Sequence, residues 1–515
     1  MKIIIIIEYI INLLILLFFH MHMFQLNSYF FKKHMHWMNT NKKKIIFQLL
    51  LILCSTILVE LKSNMTMGLA IVLLLISIFY NFPKGKKKIP LKITNRVKRM
   101  FVTELIIVSG ILMINGINNC LLIKLELINI FSIFLCIIAN FINYPIEKLG
   151  QKRYINQAKK IIEDSSNLIV IGVTGSYGKT SVKNFLAKIL SAKYEVLVTP
   201  KNYNTTMGVV KTIRENLKSI HQVFVCEMGA TKVGDIKEIC DIVKPKYGVI
   251  TAIGPQHLES FKSIDNIIKT KMELANSVKE NGGIVFLNYD NKYLKEQKLD
   301  MKVISYGVNN SDLDFNGYDL QSSERGVSFK VRDYQNKEIE FKTKIIGRYN
   351  IVNIMAAIAV AKSLDINLEN MISRVREIKN VDHRLQLITK NNINIIDDSY
   401  NSNPISSKSA IDTLGEFEGT KIIVTPGLIE LGDDEDKYNF ELGEYITKVC
   451  DYIFLVGRAH SKYILEGIKS KKFNKDKVFI VEKPEEAMLK IFELNIKDKI
   501  TVLLENDLPD NYNLK

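Results

Sequence analysis

The first third of this 515-residue chain carries long apolar runs, which restrict the folds open to it more than any other feature. Each run approaches the ~20 residues that a helix needs to cross the hydrocarbon core of a bilayer. No small-residue cleavage site follows the first run, which favours an anchor over a signal peptide. We therefore predict a transmembrane domain of about five helices over residues 1–147. The runs lie at about residues 3–19, 45–60, 66–82, 103–118 and 121–143.

The distribution of charge supports a membrane domain and predicts its orientation. Residues 1–160 hold 21 Lys and Arg against 5 Asp and Glu, which accounts for the whole net charge of +16. Lys and Arg in short loops favour the cytoplasmic side, so we expect the amino terminus outside and residues after about 145 in the cytoplasm. Positive charge interleaved with apolar runs is not typical of a nucleic-acid surface, and no nucleic-acid partner is expected. Basic stretches alternate with nearly uncharged ones in the order 32–44, 61–65, 84–100, 114–120 and 148–160.

A glycine-rich stretch, GVTGSYGKTS at residues 172–181, follows the apolar run NLIVI and precedes VKNFLAKIL, whose apolar spacing is helical. This order predicts a strand, a loop and a helix, and such loops bind phosphate through their amides and the helix amino terminus. Val173 stands where the usual phosphate-loop pattern has its first glycine. We expect Lys179 to neutralise phosphate charge and the Thr180 hydroxyl to bind Mg²⁺. The candidate phosphate-binding residues are Thr174, Gly175, Ser176, Tyr177, Gly178, Lys179, Thr180 and Ser181.

Two further side chains follow apolar stretches at positions that suit metal ligands. Glu227 ends the predicted strand HQVFVCEM, and His257 follows YGVITAIG, so both are expected at the carboxyl ends of parallel strands beside the phosphate loop. Carboxylate oxygen is the ligand that Mg²⁺ prefers, whereas imidazole is less usual, and a lone histidine at a strand end is also compatible with a structural role. The six cysteines form no C-x-x-C pair, so neither a zinc knuckle nor a disulfide framework is indicated.

Further motifs follow the phosphate loop in a fixed order, and together they resemble the Mur ligase family over about residues 165–505. The resemblance implies a central P-loop domain with a parallel sheet that binds ATP, and a smaller carboxyl-terminal α/β domain of Rossmann-like type. With the helical membrane domain, the predicted domains are 1–147, a basic linker 148–163, the central domain 164–386 and the carboxyl-terminal domain 387–515. The motifs are TGxxGKT, NYNTTMGV (202–209), CEMGA (226–230), GPQHLESF (254–261), KTKME (269–273), GRYNIVNIMAAIAVA (347–361), HRLQ (383–386) and DDSYNSNP (397–404).

The resemblance also implies roles for individual residues around ATP. Asn350 and Asn353 match the segment that contacts adenine, although Tyr349 stands where a histidine is usual. Asp398 matches the carboxylate that binds ribose, and Arg384 the arginine that reaches the ATP phosphates. The residues expected to take part in catalysis are Lys179, His257, Lys271 and Arg384.

The metal and substrate residues are implied in the same way. Lys271 matches a lysine that is carbamylated by CO₂ and helps to hold a second Mg²⁺, with Lys269 as the main rival for this role. The expected metal ligands are Thr180, Glu227, His257 and Lys271, and the expected substrate contacts are Asn204, Thr206, Asn401 and Asn403.

The implied reaction is ATP-dependent formation of an amide bond between a carboxylate and an amine. DDSYNSNP and GLIELG are most similar to the branch of the family that adds D-alanyl-D-alanine in peptidoglycan synthesis. That branch carries a UDP-binding domain where this chain has apolar runs, and ENDLPDNY at 505–512 departs from its carboxyl-terminal pattern. A lipid-linked muramoyl peptide or a polyglutamate chain is therefore an alternative acid, and a non-catalytic, nucleotide-binding membrane scaffold is an alternative function. The expected partners are these substrates, the membrane and cell-wall synthesis proteins, with a multi-pass location in the cell membrane.

Overall fold

The computed structural model describes residues 2–82, 90–114, 121–323, 325–390, 392–400, 402–494 and 496–507. The chain divides between Arg153 and Tyr154 into two compact units. We call residues up to 153 the helical unit and, after the family that its motifs resemble, residues from 154 onward the ligase unit. Residues 148–163, predicted as a basic linker, are helical and belong to one helix, Leu121–Asp164, which runs across this division.

The helical unit consists of helices in its described part. Polar caps begin two of them, because the Ser63 and Thr94 hydroxyls each accept a hydrogen bond from a backbone N–H of the first turn, at 3.3 Å. The helices are α1 (Lys2–Leu26), α2 (Phe31–Thr40), α3 (Lys42–Glu60), α4 (Asn64–Asn81), α5 (Asn95–Met113) and α6 (Leu121–Asp164).

Three of these described helices, α1, α4 and α6, are long and apolar enough to cross a membrane by length and composition. Helices α3 and α5 occupy the second and fourth predicted spans but fall short of the same criterion. Lysines at 42–44 begin α3, and Arg96, Lys98 and Arg99 lie in the first turns of α5, so less apolar length remains. Crossing by α3 and α5 stays a prediction.

Hydrogen bonds between neutral polar side chains connect helices inside this unit. The Asn12 amide donates to Asn129 Oδ1 at 3.1 Å, and the Ser77 hydroxyl donates to Asn12 Oδ1 at 3.0 Å. These contacts join α1, α4 and α6. Among apolar helices, such bonds fix how the helices pack, because an unpaired polar group would be costly there.

The ligase unit begins with a sheet of nine described strands in the order β2-β3-β1-β4-β5-β6-β7-β8-β9. Pairing is parallel from β2 to β7 and antiparallel from β7 to β9. The strands are β1 (Ile169–Thr174), β2 (Val196–Val198), β3 (Val223–Glu227), β4 (Tyr247–Ile250), β5 (Ile284–Asn288), β6 (Val303–Val308), β7 (Phe315–Ser323), β8 (Gly326–Arg332) and β9 (Glu338–Thr343).

Helices cover this sheet because they present apolar faces to it. In α7 the buried residues Val182, Phe185, Leu186 and Ile189 recur at helical spacing, and α13 is buried on nearly every side. The helices are α7 (Lys179–Leu190), α8 (Thr206–Asn216), α9 (Asp235–Val243), α10 (Leu258–Phe261), α11 (Ile264–Glu280), α12 (Lys292–Lys295), α13 (Arg348–Ser363) and α14 (Leu368–Arg376).

A second sheet of six described strands follows, in the order β10-β11-β15-β12-β13-β14, and only its β10–β11 pair is antiparallel. The strands are β10 (Gln386–Lys390), β11 (Ile393–Asp398), β12 (Thr420–Thr425), β13 (Tyr452–Val456), β14 (Val478–Val481) and β15 (Ile500–Glu505). The helices are α15 (Pro404–Gly415), α16 (Glu435–Ile446), α17 (Arg458–Ser470) and α18 (Pro484–Glu493), with 3₁₀ turns at Gly432–Asp434 and Lys475–Lys477.

The ends of these strands position the polar residues that the sequence singled out. Thr174 ends β1, Glu227 ends β3 and Asp398 ends β11. In parallel sheets the carboxyl ends of the strands share one edge, where ligands bind. The site is therefore built at the carboxyl edges of the two sheets.

Candidate active site

The glycine-rich loop between β1 and α7 has the shape of a phosphate cradle. Gly178 has φ +81°, and a Cβ at this position would lie 2.6 Å from Asn353 Oδ1. Only glycine fits both the backbone conformation and this close approach. Because α7 begins at Lys179, its first backbone N–H groups point into the loop, where they suit phosphate oxygens.

The Lys179 side chain bends back over the glycine-rich loop that precedes it. Its ammonium donates to Gly175 O at 2.6 Å and to Ser176 O at 3.2 Å. Desolvation by the surrounding loop lowers the pKa of Lys179 to about 8, Glu227 opposes this shift, and the positive charge of Arg384 adds to it. A bound phosphate would supply the negative charge that restores the ammonium form, so the loop fits an anionic ligand.

Glu227 is the centre of the polar contacts next to the loop. Its Oε1 accepts from the Thr180 hydroxyl at 3.1 Å and from the Asn204 amide at 3.0 Å. Its Oε2 lies 2.9 Å from Lys183 Nζ, and both side chains of this pair are only 2% exposed. Burial alone would raise the pKa of Glu227, but the Lys183 ammonium outweighs it, and the pKa lies below its usual range. The carboxylate is thus held ionised, as a Mg²⁺ ligand must be.

His257 and Lys271 lie in different surroundings. His257 Nδ1 forms a short contact with Glu430 Oε2, a residue 173 positions later in the chain. Lys271 is 4% exposed in α11, and its ammonium lies 5.9 Å from the Phe261 ring centroid. Burial lowers the pKa of Lys271 to about 7, and the positive charge of Lys179 adds to the effect. Within the described residues, no group of three or more His, Cys, Asp or Glu side chains could hold a metal ion by itself.

The two asparagines expected near adenine, Asn350 and Asn353, are both buried in α13. Asn353 contacts the loop at Gly178, and Asn350 is buried one turn earlier in α13, where its amide donates to Ile346 O at 3.0 Å. The Tyr177 ring of the loop packs against Tyr349 with centroids 5.2 Å apart, so Tyr349 is part of the loop's support.

Arg384 and Asp398 lie where the chain enters the second sheet. The Arg384 guanidinium is 4.4 Å from the Tyr400 ring centroid, and Asp398 Oδ1 accepts from Leu385 N at 3.1 Å. Desolvation raises the pKa of Asp398 to about 6, which the positive charge of Arg384 partly opposes. Arg384 thus acts electrostatically on both Lys179 and Asp398.

The expected substrate residues have separate partners. Thr206 donates its hydroxyl to Glu238 Oε2 at 2.8 Å, away from the Asn204 contact with Glu227. Asn403 caps α15, because its Oδ1 accepts from Ile405 N at 3.0 Å and from Ser406 N at 3.1 Å. Asn401 lies outside the described residues. The substrate roles of these residues stay predictions.

A cavity of about 690 Å³ opens beside Thr180 and Arg384. Its lining includes the basic residues Lys183, Lys201 and Lys379, which suit an anionic ligand. Lys183 was not among the sequence candidates. Its position four residues after Lys179, on the same face of a predicted helix, is the signal that could have identified it.

Comparison with known proteins assigns the two domains that contain these sheets to one family. A profile of the Mur ligase middle domain matches residues 173–361, and one described as "Mur ligase, glutamate ligase domain" matches residues 383–505. The UDP-N-acetylmuramoyl-tripeptide–D-alanyl-D-alanine ligase of Bacillus subtilis is 32% identical over 60% of this chain and 66% of its own length. The enzyme of the same name from Buchnera aphidicola (subspecies Baizongia pistaciae) is 30% identical over 67% of this chain and 76% of its own length.

Solved structures agree with these relatives. The crystal structure of MurF from Acinetobacter baumannii is 25% identical, with a TM-score of 0.64 over 71% of this chain and 78% of that one. MurF from Thermotoga maritima, solved in complex with ADP, is 25% identical, with a TM-score of 0.63 over 71% of this chain and 82% of that one. The predicted fold class is thereby confirmed.

Proposed function

Because this chain belongs to the Mur ligase family, we propose that it joins an amine such as D-alanyl-D-alanine to the carboxylate of a peptidoglycan precursor. Members of the family are ATP-dependent, ADP-forming ligases. The observation that carries the proposal is the grouping of Lys179, Thr180 and Glu227 at the phosphate loop, with Arg384 beside the same cavity.

In the proposed reaction the substrate carboxylate attacks the γ-phosphorus of ATP, which gives an acyl phosphate and releases ADP. The amine then attacks the acyl carbon, loses a proton and displaces inorganic phosphate. Lys179 and the amides at the start of α7 bind the phosphates and counter the charge that develops on the transferred group. Arg384, from the segment that enters the second sheet, lines the cavity beside Thr180 and is proposed to counter the same charge.

Thr180, Glu227 and His257 are the residues proposed to hold Mg²⁺, which when bound neutralises negative charge on the phosphoryl group. Lys183 keeps the Glu227 carboxylate ionised and oriented, and Asn204 fixes its other oxygen. The donor set of hydroxyl and carboxylate fits a hard cation.

We propose carbamylation of Lys271 as a further part of this site. The neutral amine attacks CO₂, forms a nitrogen–carbon bond and releases a proton, so that a cation is replaced by an anion. A lysine of pKa about 7 is neutral in a large fraction of molecules near pH 7, whereas an ordinary lysine is almost fully protonated. Burial of Lys271 therefore supports the modification.

The membrane location is also a proposal. Three helices of the helical unit have the length and composition of membrane spans, and basic stretches flank them in the alternating pattern described above. We propose that this unit anchors the ligase, with the ATP-using residues in the cytoplasm.

The test is ADP release by the full-length protein in detergent, offered pairs of acids and amines. We expect release only with both substrates present, with UDP-linked, lipid-linked and polyglutamate acids compared against D-alanyl-D-alanine. Lys179→Ala should lower the rate by about 10³-fold. Lys211→Ala, an exposed lysine on α8, is the control. Tight ATP binding without turnover for any pair would favour the scaffold function, and turnover insensitive to Lys179 would exclude this site.

A further inference from the structure

The segment that carries His257 is held by the carboxyl-terminal domain. Leu258 packs against the hydrophobic cores of both domains. At Gly254 a Cβ would lie 2.8 Å from Ile405 Cδ1 of α15, so the two domains meet closely there. The backbone N–H of Glu259 also points to Glu430 O, at 3.5 Å. The conformation of this segment therefore depends on contact with the second domain.

His257 and Glu430 face each other across this contact in an unusual backbone conformation. His257 has φ +52° and Glu430 has φ +63°, in the left-handed region that residues other than glycine rarely adopt. Their side chains meet through His257 Nδ1 and Glu430 Oε2. Two such backbones in contact across a domain boundary are typical of sites where function, rather than local preference, sets the geometry.

The contact determines which nitrogen of His257 can bind a metal. A carboxylate only accepts hydrogen bonds, so Nδ1 carries the hydrogen and donates it to Glu430. In the neutral imidazole, Nε2 then has a free electron pair. Histidines that bind metals are commonly oriented by a carboxylate in this way.

We propose that Glu430 is a positioning residue that orients His257 for Mg²⁺ and makes metal binding depend on docking of the carboxyl-terminal domain. The proposal rests on the proposed function, in which His257 is a metal ligand. Glu430 belongs to the GLIELG segment of the carboxyl-terminal domain. Its side chain would separate from His257 if that domain moved away. Metal affinity and domain closure are then coupled, so each favours the other.

The experiment measures binding of Mn²⁺, as a spectroscopic substitute for Mg²⁺, to the full-length protein with ADP by electron paramagnetic resonance. Glu430→Ala should weaken Mn²⁺ binding by about 10-fold or more. Glu430→Gln should lose less, because its amide oxygen still accepts from Nδ1. The matched control is Glu416→Gln, since Glu416 also bridges the domains, through Ser322 at 2.6 Å, but far along the chain from His257.

A double-mutant cycle separates positioning from general damage. If Glu430 acts through His257, Glu430→Ala should add nothing to the loss caused by His257→Ala. Unchanged Mn²⁺ affinity in Glu430→Ala, or a further loss on top of His257→Ala, would overturn the proposal. The measurement needs neither acid nor amine, so it remains readable even if the proposed ligation fails.

Discussion

The helical unit and the ligase unit bury polar side chains in different ways. In the helical unit the contacts join neutral groups such as Asn12, Ser77 and Asn129, and buried Glu104 has no hydrogen-bond partner among the described residues. In the ligase unit the buried Glu227 faces the buried Lys183. Burying a charge without a partner is costly, so the paired charge at Glu227 marks a position where an ionised group is needed. The difference between Glu227 and Glu104 is that only the buried carboxylate at the candidate site faces a buried counter-charge.

The prediction with the largest expected effect concerns the side of the membrane on which each segment of the chain lies. Reporter fusions after residues 40, 63, 92, 118 and 160 should read inside, outside, inside, outside and inside if five helices cross. If only α1, α4 and α6 cross, the order becomes inside, inside, outside, outside and inside. Residues 63 and 92 therefore decide between the two topologies. An external reading at residue 160 would contradict both, and with them the access of the ligase unit to ATP.

The second prediction removes the counter-charge from the ligase unit. Lys183→Met should destabilise the ligase unit by about 3 kcal/mol or more, because Glu227 is left buried without a partner. Thermal unfolding of the full-length protein, followed at the ligase transition, measures it. Lys188→Met on the same helix, whose exposed partner Glu377 lies at 2.6 Å, should cost less than about 1 kcal/mol. Equal losses of stability for Lys183→Met and Lys188→Met would contradict a special role for the buried ion pair.

The third prediction tests the charge of the buried Lys271. Lys271→Ala should lower ligation by about 10²-fold, and short carboxylic acids should restore part of the rate if the missing group is a carbamate. Wild-type activity should fall as the pH drops below about 7, because the protonated amine cannot react with CO₂. Lys269→Ala, at an exposed position, is the control. Failure of the acids to restore any rate would argue against an anion at this position.

The smallest effect is expected in the helical unit. Asn129→Ala removes the neutral hydrogen bonds that Asn129 makes to Asn12 and to Tyr9 O of α1, and it should destabilise this unit by about 1 kcal/mol, since such bonds between apolar helices are individually weak. Unfolding of the full-length protein in detergent measures the change against Ile138→Ala, an exposed position on the same helix. A loss as large as that of Lys183→Met would show that both units depend equally on buried polar contacts.

Local sequence order predicted much of this structure. The strand, loop and helix around Lys179 form where the pattern indicated, because each depends on residues adjacent in the chain. The basic linker over residues 148–163 stays a prediction: its apolar side chains recur at helical spacing, and it continues α6.

The contacts that complete the site could not be predicted, because they join distant parts of the chain. His257 pairs with Glu430 across 173 residues, and no pattern in either motif indicates the other. The Glu227 strand position was recognisable, but not its partner Lys183, since pairing depends on how α7 packs against β3. The family resemblance suggested roles for individual residues. The hydrogen bonds and ion pairs around those residues became visible only in the folded structure.

The close fit of Gly178 against Asn353 has a further consequence. The loop expected to hold phosphates and the helix expected to face adenine touch at a point where no Cβ could be accommodated. The phosphate end and the base end of the proposed nucleotide site are thus in direct contact, and a side chain at position 178 would force Asn353 or the loop to shift. A substitution at Gly178 would therefore disturb the phosphate end and the base end of the proposed nucleotide site together.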